Sequence, residues 1–481
     1  MIDTRRPLGD IVKTRIAGRV IETGVGLAHR SPRVRGWLLD RMTRHLDASY
    51  SEWSSDREIL RLHRWFANSL RPFVERLIVE RPRAAKAIGR FVYAWARDVA
   101  RRSRSRAPDR CAPCTVVIEA TDRCNLRCPG CYASSTREGS DLPYDLLAEL
   151  VAQSADMGVT LITISGGEPF MREREDLTLT RLARSFPDLG FLVYTNGTLI
   201  DDEIARRLYE VGNIFPAISV EGYQRETDAR RGRGCYARTR AVRDLLARHE
   251  IMYGFSATVT SRNAELIASD EFIQRRIEEG DLFGWFFLYQ PIGRQPDPAL
   301  MVSAEQRAAL REKIYQWRAE GKPIFLGDFW NDGVLSHGCL AGGTRYFHIY
   351  ANGDISPCVF SPVACGNIRD IVRGTSPYRS LADLVNHHPF FVGFREKQRQ
   401  IEDYRAPCML IDHPDLFREL CRQVPFYSAK NMADGYLDGA IAREIDRRAA
   451  EWREKIRGLP YLPECVRLAP AEQAMSESAA R

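Results

Sequence analysis

The chain has 481 residues, 44% hydrophobic and 28% charged, with a formal net charge of +7. That length exceeds one small domain and allows two or three cores, and the modest charge, mostly arginine, gives no reason to expect a nucleic-acid partner. The N-terminal MIDTRRPLGD lacks the apolar centre of a secretory signal, and no run of about 18 apolar residues could span a bilayer, so a cytoplasmic protein is expected. In that reducing compartment the 12 cysteines read as metal ligands or buried thiols rather than disulfides.

Residues 1–110 read as an all-helical region broken at Pro32, Pro72 and Pro82. Within it, 84–102 predicts a basic amphipathic helix. Arg90, Arg97 and Arg101 share a face with Lys86, and Ile88, Phe91, Val92, Trp95 and Val99 lie opposite. Such a helix either packs on the following domain with a solvated basic face or rests at the inner face of a membrane. RRSRSRAPDR follows as an exposed linker, and Cys111 and Cys114 form a C-x2-C with no partner pair at zinc-finger spacing.

From 111 to 300, β-rich runs alternate with helical ones. Strands are expected at 115–120, 159–165, 190–195, 214–220, 252–259 and 283–289, and helices near 143–157, 178–185, 201–211, 235–249, 264–279 and 303–320. The fold class is α/β, a partial (βα)6 barrel whose chemistry belongs at the carboxyl ends of the strands. Directly after the first strand, Cys124, Cys128 and Cys131 stand in C-x3-C-x2-C spacing within EATDRCNLRCPGCYA. Three thiolates on one loop can hold three corners of a cubane iron–sulfur cluster and leave one iron open. A structural zinc site would need a fourth ligand that this loop lacks. After the second strand comes Gly166-Gly167-Glu168-Pro169, whose glycines permit close backbone approach to a ligand.

These two linked motifs resemble the radical S-adenosylmethionine (SAM) superfamily. The resemblance implies a [4Fe–4S] cluster whose open iron chelates SAM, and reductive cleavage of SAM to a 5′-deoxyadenosyl radical that abstracts hydrogen from unactivated carbon. It also implies that the turn at Gly166, Gly167, Glu168 and Pro169 contacts the SAM amine. Asn196 closes the third strand, and Ser219 and Glu221, closing the fourth, match positions that contact the SAM ribose or carboxylate. Arg231, in the run Asp228 to Gly234, matches the arginine that pairs with the carboxylate. Ser256, Thr258 and Tyr289 to Gly293 would line the adenine or substrate pocket. A flavodoxin or ferredoxin is the implied electron donor.

Residues 301–430 read as a second unit. A strand at 323–329 leads to Cys339, and the Asn352-Gly353 turn sits in a hairpin that delivers Cys358; Pro407-Cys408 follows a helix. Cys339, Cys358 and Cys408 are expected to ligate an auxiliary iron–sulfur cluster, with Cys365, Asp412, His413 or an open site as the fourth position. The region resembles SPASM-type extensions of radical SAM enzymes, with fewer cysteines than their dense pattern. Residues 431–481 read as a closing helix, with Leu437, Ile441, Ile445, Trp452 and Ile456 on one face, and a disordered tail. The sequence names no acid or base residue; Tyr289, Asp328 and Asp332 are candidates only through their expected place near the open face. The substrate reading rests on the N-terminal helix, which favours a lipid or other membrane-held molecule. The alternatives are a peptide or protein maturase of SPASM type, favoured by the hairpin cysteines, and a non-catalytic iron–sulfur scaffold.

Overall fold

The computed structural model describes residues 8–51, 57–90, 93 and 113–467. Strands β1 (Thr115–Thr121), β2 (Leu161–Gly166), β3 (Gly190–Thr195), β4 (Ile214–Val220), β5 (Gly254–Val259), β6 (Phe283–Leu288) and β7 (Phe325–Asp328) lie side by side, all parallel, in chain order. The six expected strands stand close to their expected bounds, because each alternates or runs apolar between turn residues. On the free edge of β1, β8 (His348–Ile349) adds in parallel and β9 (Ile355–Ser356) returns antiparallel. The sheet therefore runs across residue 300: β7 and the hairpin after it belong to the barrel wall. Gly353 makes the hairpin turn with φ 93°.

Among the described N-terminal residues are α1 (Leu8–Arg30), α2 (Pro32–Ser51), α3 (Arg57–Ser69), α4 (Arg71–Glu80) and α5 over 82–90. Pro32, Pro72 and Pro82 stand in the first turns of helices, where a missing N–H costs nothing. The barrel helices are α6 (Tyr144–Asp156), α7 (Pro169–Asp176), α8 (Thr178–Ser185), α9 (Asp202–Val211), α10 (Gln224–Arg231), α11 (Cys235–Arg248), α12 (Ala264–Ile267), α13 (Asp270–Glu278) and α14 (Ala304–Ala319). One of these departs from expectation. The segment 264–279 is two helices, because the Ser269 hydroxyl accepts from the Phe272 amide and starts a new one. The charge run near Asp228 begins on the last turns of α10, which stops at Gly232.

Period-two alternation divides the strand side chains. Ile118, Ile162, Ile164, Val193, Ile218 and Phe255 join the core shared with the barrel helices. Leu192, Phe215, Ala217 and Phe283, near the amino ends of the strands, instead meet Val25, Leu77, Ile78, Ala84, Ala85 and Ala87. Helices α1, α4 and α5 thus close the floor of the barrel. Of the expected basic amphipathic helix, the described part places Ala84, Ala85, Ala87 and Ile88 on that floor and pairs Arg90 with Glu22. Phe91, Val92, Trp95, Arg97, Val99 and Arg101 lie outside the described residues, as do Cys111 and the C-terminal tail. Helix Ala440–Arg457 buries Ile441, Ile445, Trp452 and Ile456 as expected. Among the described residues no helix is long and apolar enough to cross a membrane.

Candidate active site

The loop after β1 folds back on itself: the Cys124 amide donates to Thr136 O at 2.7 Å and the Thr136 amide to Asp122 O at 3.1 Å. Cys124, Cys128 and Cys131 all stand on the wall of one cavity of about 250 Å³. The Leu126 amide points at Cys124 Sγ from 3.4 Å, the kind of N–H···S contact that stabilises a ligating sulfur. Burial pushes the Cys124 thiol up to about 12, so it needs a metal to lose its proton at neutral pH. Gly130 has φ 63°, and a Cβ there would come within 2.7 Å of the Tyr289 ring.

Two arginines that sequence reasoning missed hold this loop. Arg294 donates through Nη1 to Cys128 O at 3.2 Å and through Nη2 to Ser135 O, while its amide donates to Cys131 O at 2.9 Å. Arg230 donates to Gly130 O at 3.2 Å. Their signal was faint, since nothing in sequence brings the loop after β6 or the end of α10 beside residue 128.

The Gly166-Gly167-Glu168-Pro169 turn is stitched to the base of the same loop. Gly167 N donates to Thr121 O and Glu168 N to Arg123 O, both at 2.8 Å. A Cβ on Gly166 would sit 2.2 Å from Thr121 O and one on Gly167 2.0 Å from Arg123 O. The glycines are therefore demanded by backbone packing against β1, besides facing the cavity, whose wall both line. Glu168 and Pro169 stand behind that wall. Glu168 is fully buried and its carboxylate accepts from Phe170 N at 3.1 Å, Thr195 Oγ1 at 2.7 Å and Asn196 N at 2.7 Å. Burial raises its carboxyl to about 6 against these donors. Glu168 is a strut between the turn and the end of β3, and Pro169 opens α7.

Asn196 lines the cavity and bonds the cysteine loop, donating to Asn125 Oδ1 at 2.8 Å. Ser219, Ser256, Thr258 and Arg231 also line it. Arg231 Nε and Nη2 stand 2.8 and 2.5 Å from Glu221 Oε1, and Arg230 Nη1 2.7 Å from the same oxygen. Glu221 is thus a buried anchor for two arginines and not part of the cavity wall. Its charge holds the Arg231 guanidinium above the ordinary arginine range despite burial.

Lower in the barrel the cavity is walled by Val117, Thr163, Leu192, Tyr194, Trp285 and Phe287. Trp285 and Phe287 were not singled out from sequence, because β6 is apolar almost throughout and does not mark its inward face; nor was Tyr132, next to Cys131. Of the acid or base candidates, Tyr289 lines the cavity and accepts from the Asp297 amide at 3.0 Å. Asp328 and Asp332 do not line it. Asp328 is buried against Asn331 and pushed up to about 6 by burial and by Asp332, which pairs with Arg318 at 2.7 Å.

Cys339, Cys358 and Cys408 come together around a second, smaller cavity of about 30 Å³. Phe360 N and Leu410 N approach Cys358 Sγ and Cys408 Sγ at 3.4 Å each. Burial pushes the thiols of Cys339 and Cys358 up to about 12 and raises Cys408 as well. The Tyr436 hydroxyl is buried without a hydrogen-bond partner, and burial first, then the nearby Cys408 and Cys358, push it above the ordinary phenol range. Of the fourth positions expected, Cys365 lies instead near Cys421. Asp412 is close to the trio but takes Arg307 and the Cys408 amide, the latter at 3.1 Å, and His413 contacts Ala406 O at 3.0 Å.

Among the described residues no three His, Cys, Asp or Glu side chains are arranged to hold a single metal ion. Both cysteine groups surround space, receive amide N–H groups on sulfur, and in the second case face an orphaned phenol. That donor set suits a polynuclear iron–sulfur cluster better than zinc.

A family profile described as Radical SAM superfamily matches residues 118–256. An AdoMet-dependent heme synthase of Methanosarcina barkeri is 27% identical over 330 residues, covering 63% of this chain and 89% of its own. The mycofactocin maturase MftC of Mycolicibacterium smegmatis is 30% identical over 366 residues, covering 73% and 87% respectively. The crystal structure of Streptococcus suis SuiB bound to S-adenosylmethionine aligns with a TM-score of 0.48 at 15% identity over 68% of this chain and 83% of that one.

Proposed function

Because the chain belongs to the radical SAM superfamily, we propose that it uses Cys124, Cys128 and Cys131 to hold the catalytic cluster and removes a hydrogen atom from an unactivated carbon of a peptide. The family's cofactors, a [4Fe–4S] cluster with an open iron and SAM, supply the 5′-deoxyadenosyl radical for that step. In this reading the backbone of Gly166 and Gly167 faces the SAM amine, and Asn196, Ser219 and Arg231 bind its polar groups. The closed floor and apolar wall keep water from the reacting carbon. Cys339, Cys358 and Cys408 hold an auxiliary cluster. The observation that carries the reading is one cavity with the first cysteine set on its wall and the second set directly behind it.

The peptide assignment draws on the relatives named as maturases and on the charge of the wall. Its arginines are engaged, Arg230 and Arg231 by Glu221 and Arg294 by the carbonyls of Cys128 and Ser135. The rest is largely aromatic and aliphatic, which suits an apolar side chain. A tetrapyrrole is the second reading, favoured by relatives named heme synthases, but Arg230 and Arg294, the wall arginines not assigned to SAM, are held by Glu221 and by backbone carbonyls, from which its carboxylates would have to take them. The lipid reading loses its support where the apolar face of 84–90 meets the barrel floor.

The test is anaerobic incubation of the reconstituted full chain with SAM and dithionite, or flavodoxin as electron donor. The additions are peptides encoded beside its gene in one arm and iron-coproporphyrin III in the other. Mass loss of hydrogens from a peptide, matched by 5′-deoxyadenosine, is expected. Conversion of the porphyrin alone would replace this reading by the second, and absence of 5′-deoxyadenosine under all conditions would leave only a non-catalytic scaffold.

A further inference from the structure

Four side chains belong to both cavities. Phe329, Leu340, Tyr346 and Phe360 line the large one beneath the first cysteine loop and also the small one enclosed by Cys339, Cys358 and Cys408. They form a partition one side chain thick, knit by edge-on contacts of Phe329 with Tyr346 at 5.7 Å and with Phe360 at 5.8 Å. Of the four, Tyr346 alone carries a polar group. Its residue is 2% exposed, and its hydroxyl stands 2.9 Å from Cys358 Sγ. A thiolate bound to iron has no proton, so in the loaded protein the phenol is the donor of this bond.

We propose that Tyr346 is a positioning residue that presents its ring to the substrate cavity and its O–H to the Cys358 thiolate, thereby raising the reduction potential of the cluster held there. This rests on the auxiliary-cluster reading above. A hydrogen bond to a ligating sulfur withdraws charge and favours the more negative, reduced form, and its effect is large where water is excluded. A substrate pressing on the ring shifts the hydroxyl against the sulfur, so occupancy of the cavity and the potential of the second site are coupled, each acting on the other.

The experiment is an EPR-monitored redox titration of the reconstituted full chain, with the signal of the SAM-binding cluster as internal reference. Tyr346→Phe keeps the ring and removes the bond. The reduced-to-oxidised ratio of the auxiliary signal at a fixed potential is expected to fall about tenfold, a shift of about 59 mV to the negative for one electron, while the reference signal stays in place. Phe329→Leu loosens the packing of the Tyr346 ring but keeps its bond to Cys358, and is expected to move the auxiliary potential much less than Tyr346→Phe and the reference not at all. An unmoved auxiliary potential in Tyr346→Phe, or an equal shift in Phe329→Leu, overturns the assignment while leaving the two-cluster reading intact. A wild-type chain holding only the roughly four irons of one cubane overturns the auxiliary cluster and this assignment together.

Discussion

Cys124, Cys128 and Cys131 come from one loop and stand on the wall of an open cavity, whereas Cys339, Cys358 and Cys408 come from three separate segments and enclose a small void. The first set is spaced along one loop by local backbone bonds such as Cys124 to Thr136, and Arg294 and Arg230 brace that loop from distant segments. The second exists only once the segment after β7, the β8–β9 hairpin and the turn at 407–412 have docked. A single half-buried loop facing a cavity suits a cluster that must offer an open iron to a cosubstrate. A nest that is assembled and dry suits a group that holds or accepts charge without meeting solvent, and metal bound there ties three segments together.

Removing the first set gives the largest effect. Cys124→Ala, Cys128→Ala and Cys131→Ala are each expected to abolish 5′-deoxyadenosine formation by dithionite-reduced protein, and undiminished product from any of them would break the assignment. Cys408→Ala separates the two sites. Iron should fall to roughly the four of the first cluster, with SAM cleavage retained and modified substrate lost. If SAM cleavage instead vanished with it, the two sites would not be independent units.

Arg294→Ala probes how the first loop is held. It removes two donors from the carbonyls of Cys128 and Ser135, and charge-assisted bonds of this kind contribute about 1.5–3 kcal/mol each. SAM cleavage is expected to drop at least about tenfold, which about 1.4 kcal/mol would produce, with the EPR signal of the auxiliary cluster unchanged. Loss of both signals together would show a general folding defect in place of a local one.

The contrast also explains what could be read from sequence. The spacing of Cys124, Cys128 and Cys131 and the turn at Gly166 are local, and the strands that carry them alternate cleanly, so barrel order and the first site were legible. Cys339, Cys358 and Cys408 were named together from sequence, but Cys365 stayed open as a fourth position, because nothing local shows that it turns toward Cys421. Asp328 ends β7 and Asp332 follows it closely, yet the buried Asn331 and Arg318 draw them away from the cavity. Glu221 was placed at the right strand end but serves Arg230 and Arg231 and not the cavity. Arg294, Arg230 and the partition around Tyr346 depend on contacts between segments far apart in the chain, which periodicity does not carry.

The smallest effect concerns Glu168, which belongs to the first site alone. Its carboxyl is raised from 4.5 to about 6 by burial, so the folded chain binds this proton more tightly than the unfolded one. The stability this contributes is fully present below about 4.5 and is lost as pH rises through about 6, a change of roughly 2 kcal/mol at 1.36 kcal/mol per unit. Urea unfolding of the reconstituted chain between pH 4.5 and 7 should show that decline. In Glu168→Gln the component disappears, because the amide does not titrate. The variant also presents an N–H to the Asn196 amide where an oxygen stood, so a loss of about 1–3 kcal/mol is expected at every pH. A Glu168→Gln profile with the wild-type slope across that window would mean that the carboxyl is already ionised at pH 4.5, held so by Thr195 and the amides of Phe170 and Asn196.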